Sequence, residues 1–111
     1  MVKSITRIYS RYTREATKLI GQMIRLGRIE RKLTAQDLAD RAGISRGMLQ
    51  RIEKGDLKCE IGVVFELAAL VGVKLFDADT SSLAGHISRT EDKLALLPKQ
   101  VRKPKAVDDA F

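Results

Sequence analysis

The chain has 111 residues, 44% of them hydrophobic, 32% charged and 5% aromatic, enough for one domain with a modest core. Its 21 Lys and Arg against 14 Asp and Glu leave a formal charge of +7, a surplus that points to a polyanionic partner, nucleic acid or an anionic membrane surface. One cysteine and one histidine exclude a disulfide scaffold and a zinc site, and no run nears the ~18 consecutive apolar residues of a membrane span.

The first residues, Met1-Val2-Lys3-Ser4-Ile5-Thr6-Arg7, carry charge but no apolar segment, so no signal peptide is expected and the default location is cytoplasmic. Charge is segregated along the chain. Residues 1–54 hold 13 basic and 5 acidic side chains, residues 55–97 hold 4 and 7, and residues 98–111 hold 4 and 2. A basic face can serve solubility alone. Its concentration in the first half argues for a binding role there.

Residues 1–12 alternate basic and apolar side chains (Lys3, Ile5, Arg7, Ile8, Tyr9, Arg11, Tyr12) with neither a helix nor a strand period, which predicts a flexible arm. A first helix is expected from near Thr13, as its cap, to about Arg31. Ala16, Leu19, Ile20, Met23, Ile24 and Gly27 fall on its apolar side, and Arg14, Lys18, Arg25, Arg28 and Arg31 cover much of the rest. Thr34 caps a second helix, with Asp37 three residues later as a weaker form of the capping box. Leu38, Ala39 and Ala42 make its inner face, and Gly43 ends it at a positive φ.

Ser45 caps a third helix that reaches about Lys54, apolar on Met48, Leu49 and Ile52 and stopped by Gly55. A fourth helix runs from about Glu60 to Val71 with Val63, Val64, Leu67, Ala68 and Val71 inward. Gly72 stops it, and Phe76 is expected to plug the core. A fifth helix is expected from about Ser81 to Leu97. Leu83, Ile87, Leu94 and Leu97, with Thr90 in the gap, keep the rhythm of a helix that packs on another helix or forms a dimer seam. Pro98 ends it, and the tail over residues 98–111 has no apolar period and is expected to be disordered in isolation.

Two short helices over residues 34–54, joined by a short turn containing glycine, have the geometry of a helix-turn-helix. Ala39 is small where the second helix crosses it. Gly43 permits the turn, Ile44 drops into the core, and Leu49 and Ile52 anchor the second helix. Arg46, Gly47, Gln50 and Arg51 then face outward, with Ser45 at the helix start. Arg46 can bond guanine O6 and N7 together, and Gln50 can bond adenine N6 and N7. Ser45 and the N–H groups of the helix start suit a phosphate. Gly47 lets the helix approach base edges closely.

The competing reading of these side chains is a solvated polar helix face, and the whole motif weighs against it. Arg25, Lys32, Lys54 and Lys58 divide evenly between phosphate contacts and plain surface charge. Cys59 and His86 fall in different elements with no third orienting group. With no paired-carboxylate, phosphate-loop or metal signature, no enzyme activity, cofactor or metal is expected. Residues 13–97 thus read as one DNA-binding domain with a C-terminal packing helix.

Residues 20–76 resemble the phage-repressor, or Xre, type of helix-turn-helix domain. The matching text is Ile24-Arg25 and Arg28, then Leu33-Thr34-Ala35-Gln36-Asp37-Leu38-Ala39, then Ala42 through Gly55. The resemblance implies an all-α, five-helix phage-repressor-like domain that binds double-stranded operator DNA as a homodimer. It implies a structural ion pair between Arg28 and Glu53. The DNA-binding set expected on this basis is Thr34, Gln36, Ser45, Arg46, Gly47, Gln50, Arg51 and Lys54. In one place the chain departs from the pattern: where such domains often carry glutamine at the first position of the second helix, it has Ala35, with Gln36 one place later.

The run Gly55-Asp56-Leu57-Lys58-Cys59-Glu60 and the ending Val107-Asp108-Asp109-Ala110-Phe111 resemble small HipB-like regulators that accompany HipA-type kinase toxins. That resemblance implies an autoregulating repressor that is also an antitoxin, holding a HipA-type toxin through the C-terminal helix and tail, with no membrane role. The alternatives are a stand-alone phage-type or operon repressor and, from another class, a module that uses the same helices to bind protein.

Overall fold

The computed structural model describes residues 7–76 and 80–104, with residues 80 and 81 described by their backbone alone. Its helices are α1 (Arg11–Glu30), α2 (Ala35–Ala42), α3 (Arg46–Glu53), α4 (Ile61–Leu70) and α5 (Thr80–Ala95). The described residues form no strand, so the fold is all-α. The chain divides into two compact units, Met1–Leu75 and Phe76–Phe111.

α1 starts two residues before the expected Thr13. Ser10 is its cap: the backbone there is extended, and the Ser10 hydroxyl accepts from the Thr13 N–H at 3.2 Å. Thr13 is therefore the third helical residue and not the cap. One turn on, Arg14 donates to the Tyr9 carbonyl at 2.7 Å and ties the approach segment to the helix. At the other end no glycine is present. Lys32 takes the left-handed conformation itself, at φ +58°, and its N–H donates to the Ile29 carbonyl at 2.9 Å. A lysine there costs on the order of 1 kcal/mol relative to glycine.

In the first unit, α3 packs on α1 and α2, and α4 packs on α2 and α1. The shared core is Ile24, Leu38, Ala39, Leu49, Ile52, Leu67, Ala68 and Val71. Ile20, Ala42, Ile44, Met48, Val63 and Val64 pack around it, half-buried. Burying each large aliphatic side chain contributes about 2 kcal/mol.

Leu19, expected on the inner face of α1, is instead 55% exposed. Ile20, Ile24 and Gly27 define that face, and Leu19 stands about 100° from Ile20 around the helix. Gly21, which is not among the expected inner residues, is buried. There α1 crosses α3 at backbone distance, and a Cβ on Gly21 would collide with the Ile52 carbonyl oxygen and sit 2.8 Å from that of Glu53.

In the second unit, α5 ends at Ala95, two residues short of Leu97. The N–H groups of Leu96 and Leu97 turn back to the Lys93 and Leu94 carbonyls, which tightens the helix end. Leu83, Ile87 and Leu94 keep their helical spacing along α5 and are exposed. Phe76, expected as a core plug, is 57% exposed. The expectations for residues 1–6 and for 105–111, Phe111 included, lie outside the described residues.

Candidate nucleic-acid interface

The link from α2 to α3 is set by backbone conformation. Gly43 sits at φ +70°, a left-handed position that costs a residue with a Cβ about 1 kcal/mol. Its N–H donates to the Asp40 carbonyl at 3.2 Å, and the Ile44 N–H donates to the Ala39 carbonyl at 3.0 Å. The chain folds back so that Ile44 packs on the core. Ser45 then starts α3, its hydroxyl accepting from the Met48 N–H at 3.0 Å. The Arg46 and Gly47 N–H groups belong to the first turn, which no carbonyl of the same helix can reach. Together with the positive end of the helix dipole they make an anion-receptive terminus.

One side of α3 is held by Leu49 and Ile52, both buried. Arg46, Gly47, Gln50 and Arg51 are exposed. Their spacing puts them on one face, since residues three and four apart are neighbours on a helix. A Cβ on Gly47 would meet nothing closer than the Arg51 Nη1 at 3.6 Å, so this glycine leaves a shallow saddle between longer side chains. Arg51 also lies 3.8 Å from the Asp56 carboxylate through its Nε. Arg51 is exposed and Asp56 half-buried, so the pair is worth less than about 1 kcal/mol. The Arg51 Nη1 lies over Gly47, and the remaining N–H groups stay available as donors. Asp56 in turn accepts from the Lys58 N–H at 2.9 Å, which ties the loop after α3 to this arrangement.

α3 is held in orientation from behind by Arg28 and Glu53. The guanidinium meets the carboxylate edge to edge, Nε to Oε2 at 2.7 Å and Nη2 to Oε1 at 3.0 Å, and Nη1 reaches the Leu33 carbonyl at 3.1 Å. The Arg28 and Glu53 side chains are 13% and 7% exposed. The hydrogen bond to Glu53 raises the Arg28 pKa still further, against the effect of burial, so the guanidinium keeps its charge.

The other candidates occupy the edges of the motif. Lys54 caps the C-terminal end of α3 and is exposed. Thr34 caps α2 in a full capping box: its hydroxyl accepts from the Asp37 N–H at 3.0 Å, and its own N–H donates to Asp37 Oδ2 at 3.1 Å. These bonds from Thr34 hold the Asp37 carboxyl below the usual carboxylate range. Gln36 donates to Asp40 Oδ1 at 2.8 Å, one turn along the same helix. The structure thus gathers Ser45, Arg46, Gly47, Gln50 and Arg51 on α3, and leaves Thr34 and Gln36 bonded within α2.

Reasoning from the sequence did not find Gly21 or the Arg51–Asp56 pair. A small residue on the apolar side of α1, three before Ile24 and six before Gly27, was the available signal for the first. The second depends on a loop conformation that has no local sequence signature. Cys59 is half-buried, and its thiol donates to the Asp56 carbonyl at 3.0 Å. Burial and the Asp56 charge push its pKa up, which disfavours the thiolate. Among the described residues, no group of three or more His, Cys, Asp or Glu is placed to hold a metal ion, and no helix is long and apolar enough to cross a membrane.

Residues 24–77 match the family model described as helix-turn-helix. No curated protein matches the chain, and no solved structure does.

Proposed function

Because the domain over residues 24–77 belongs to the helix-turn-helix family and makes this chain a DNA-binding transcription regulator, we propose that it is a sequence-specific repressor that reads its operator with α3. The observation that carries this reading is the division of α3 into a buried side, Leu49 and Ile52, and an exposed side, Arg46, Gly47, Gln50 and Arg51. A helix held that way can enter a major groove. Arg46 and Gln50 contact base edges. Ser45, Arg51, Lys54, Thr34 and Gln36 contact phosphates, which fix register and carry no sequence information. A homodimer sets two such helices in successive major grooves, about 34 Å apart, on a palindromic site. Repression follows from occupying the promoter.

The narrower role, autoregulating antitoxin of a HipA-type kinase toxin, is supported by the run from Gly55 to Glu60 and by the ending from Val107 to Phe111. In it the C-terminal helix and tail hold the toxin, and the α3 face stays open for DNA. The test has two arms. DNA bound by the protein should release counterions, so that log K falls steeply with log salt. Tagged full-length protein should recover a stoichiometric kinase-sized partner from its host extract, and a version truncated after Leu97 should lose it. Recovery of DNA and the protein's own second copy alone would leave a stand-alone repressor.

A further inference from the structure

We propose that α1 carries a second DNA surface, a basic stripe of Arg14, Lys18 and Arg25 that binds the phosphate backbone flanking the site read by α3. The inference rests on the DNA-binding reading above and extends it along α1, where Arg14 and Lys18 precede the family match and Arg25 lies at its start. That match begins at Ile24, whereas α1 begins at Arg11, so about three and a half turns of helix precede it.

The basic residues of this helix are not scattered. At about 3.6 residues per turn, Arg11, Arg14, Lys18 and Arg25 fall within an arc of about 60°, and the two acidic residues of α1, Glu15 and Glu30, fall outside it. All four basic side chains are exposed. Arg11 is engaged with Glu15 at 3.3 Å. Among the described residues, Arg14, Lys18 and Arg25 have no carboxylate partner within ion-pair distance.

The stripe is continuous with the candidate interface. Beside its arc lies Gly21, where α1 touches the Ile52 and Glu53 carbonyls at the end of α3. A Cβ at Gly55 would lie 2.9 Å from the Lys18 Cα, so Lys18 stands against the residue that follows the exposed Lys54. Complementing the α3 dipole would explain a cation at Lys18 alone, since that effect fades within the last turn. It does not explain Arg14 and Arg25, which lie about one and two turns from Lys18 along α1. From Arg14 to Arg25 the stripe runs about 16 Å. Duplex DNA places one phosphate per about 3.4 Å of axis on each strand, so several phosphates fall within that reach.

The test uses the full chain and 40-bp duplexes enriched from a random library by the wild-type protein. Affinity is measured against salt for wild type, for Arg14→Ala/Lys18→Ala/Arg25→Ala, and for Arg46→Ala, with circular dichroism to confirm that each variant is folded. The triple variant should lower the salt slope by about 3 for each bound subunit, about 5 for the homodimer, near 0.9 for each phosphate it no longer neutralises. It should weaken enriched and scrambled duplexes by the same factor and shorten the nuclease footprint at its flanks. Arg46→Ala should do the reverse, collapsing the enriched-to-scrambled ratio and leaving the flanks protected. An unchanged slope and footprint in the triple variant, with Arg46→Ala still losing specificity, would overturn the stripe and leave the α3 reading intact. Failure of any duplex to enrich would overturn both, and binding of the wild type to phosphatidylserine vesicles would then reassign the stripe to a membrane surface.

Discussion

Arg28 of α1 and Glu53 of α3 form a two-point ion pair, at 2.7 and 3.0 Å, whose guanidinium also reaches the Leu33 carbonyl. A single side chain therefore joins the end of α3 to the connection between α1 and α2. Together with the backbone contact at Gly21, it fixes the angle at which α3 leaves the core. The outward face of α3 is only as well aimed as these two contacts.

Removing one partner leaves the other charge largely enclosed, so Arg28→Ala or Glu53→Ala should each cost about 3 kcal/mol of stability. The double variant should cost clearly less than the sum, because the penalty of a lone charge is then absent. Urea unfolding of the two single variants and the double variant measures this. Strict additivity would show that the pair is not coupled in solution.

Gly21 and Gly47 should respond in opposite directions to the same substitution. Gly21→Ala forces α1 away from the Ile52 and Glu53 carbonyls, and should cost about 1–3 kcal/mol in spite of alanine's better helix propensity. Gly47→Ala meets no close atom and should stabilise the chain by about 0.5 kcal/mol. If α3 approaches base edges at the Gly47 saddle, that more stable variant should still bind operator DNA less tightly. Thermal melts and DNA titrations of both variants check the two halves of the prediction.

Asp37 makes α2 sensitive to acid. Its carboxyl is held below the ordinary range, about 4, by the Thr34 N–H and hydroxyl. A group with a lowered folded pKa stabilises the fold above its unfolded pKa and loses that contribution as pH falls through the folded value. Stability should therefore decline on the acid side of the carboxylate range, and D37N should flatten that part of the profile. Urea midpoints followed from neutral pH down to about pH 3 test it. A D37N profile parallel to wild type would show that Asp37 does not carry this acid sensitivity.

The parts of the fold that were legible in the sequence are those governed by local rules. Thr34 with Asp37, Gly43 and Ser45 each follow from a cap or turn requirement contained in a few residues, and the structure has them in those roles. Spacing of Leu49 and Ile52 is enough to predict which side of α3 turns inward. The start of α1 is less legible because Ser10 and Thr13 satisfy the same capping rule, and only the path of the preceding residues decides between them. Leu19 is apolar but lies off the stripe that its neighbours define, and apolar character alone does not reveal that direction. The Gly21 crossing and the Arg51–Asp56 pair are tertiary facts, fixed by how α1 and the loop after α3 meet α3. Phe76 and the α5 leucines carry an apolar pattern, which does not by itself say what they pack on.

In the proposed function, α3 reads DNA with Arg46 and Gln50. Competition binding tests it most directly: a labelled enriched duplex is challenged with the same duplex and with a scrambled one, for wild type, Arg46→Ala and Gln50→Ala. Each substitution should lower the specific-to-scrambled ratio by the equivalent of about 1–3 kcal/mol for each half-site, and leave binding to scrambled DNA much less affected. Wild-type discrimination that survives in both variants would contradict the claim.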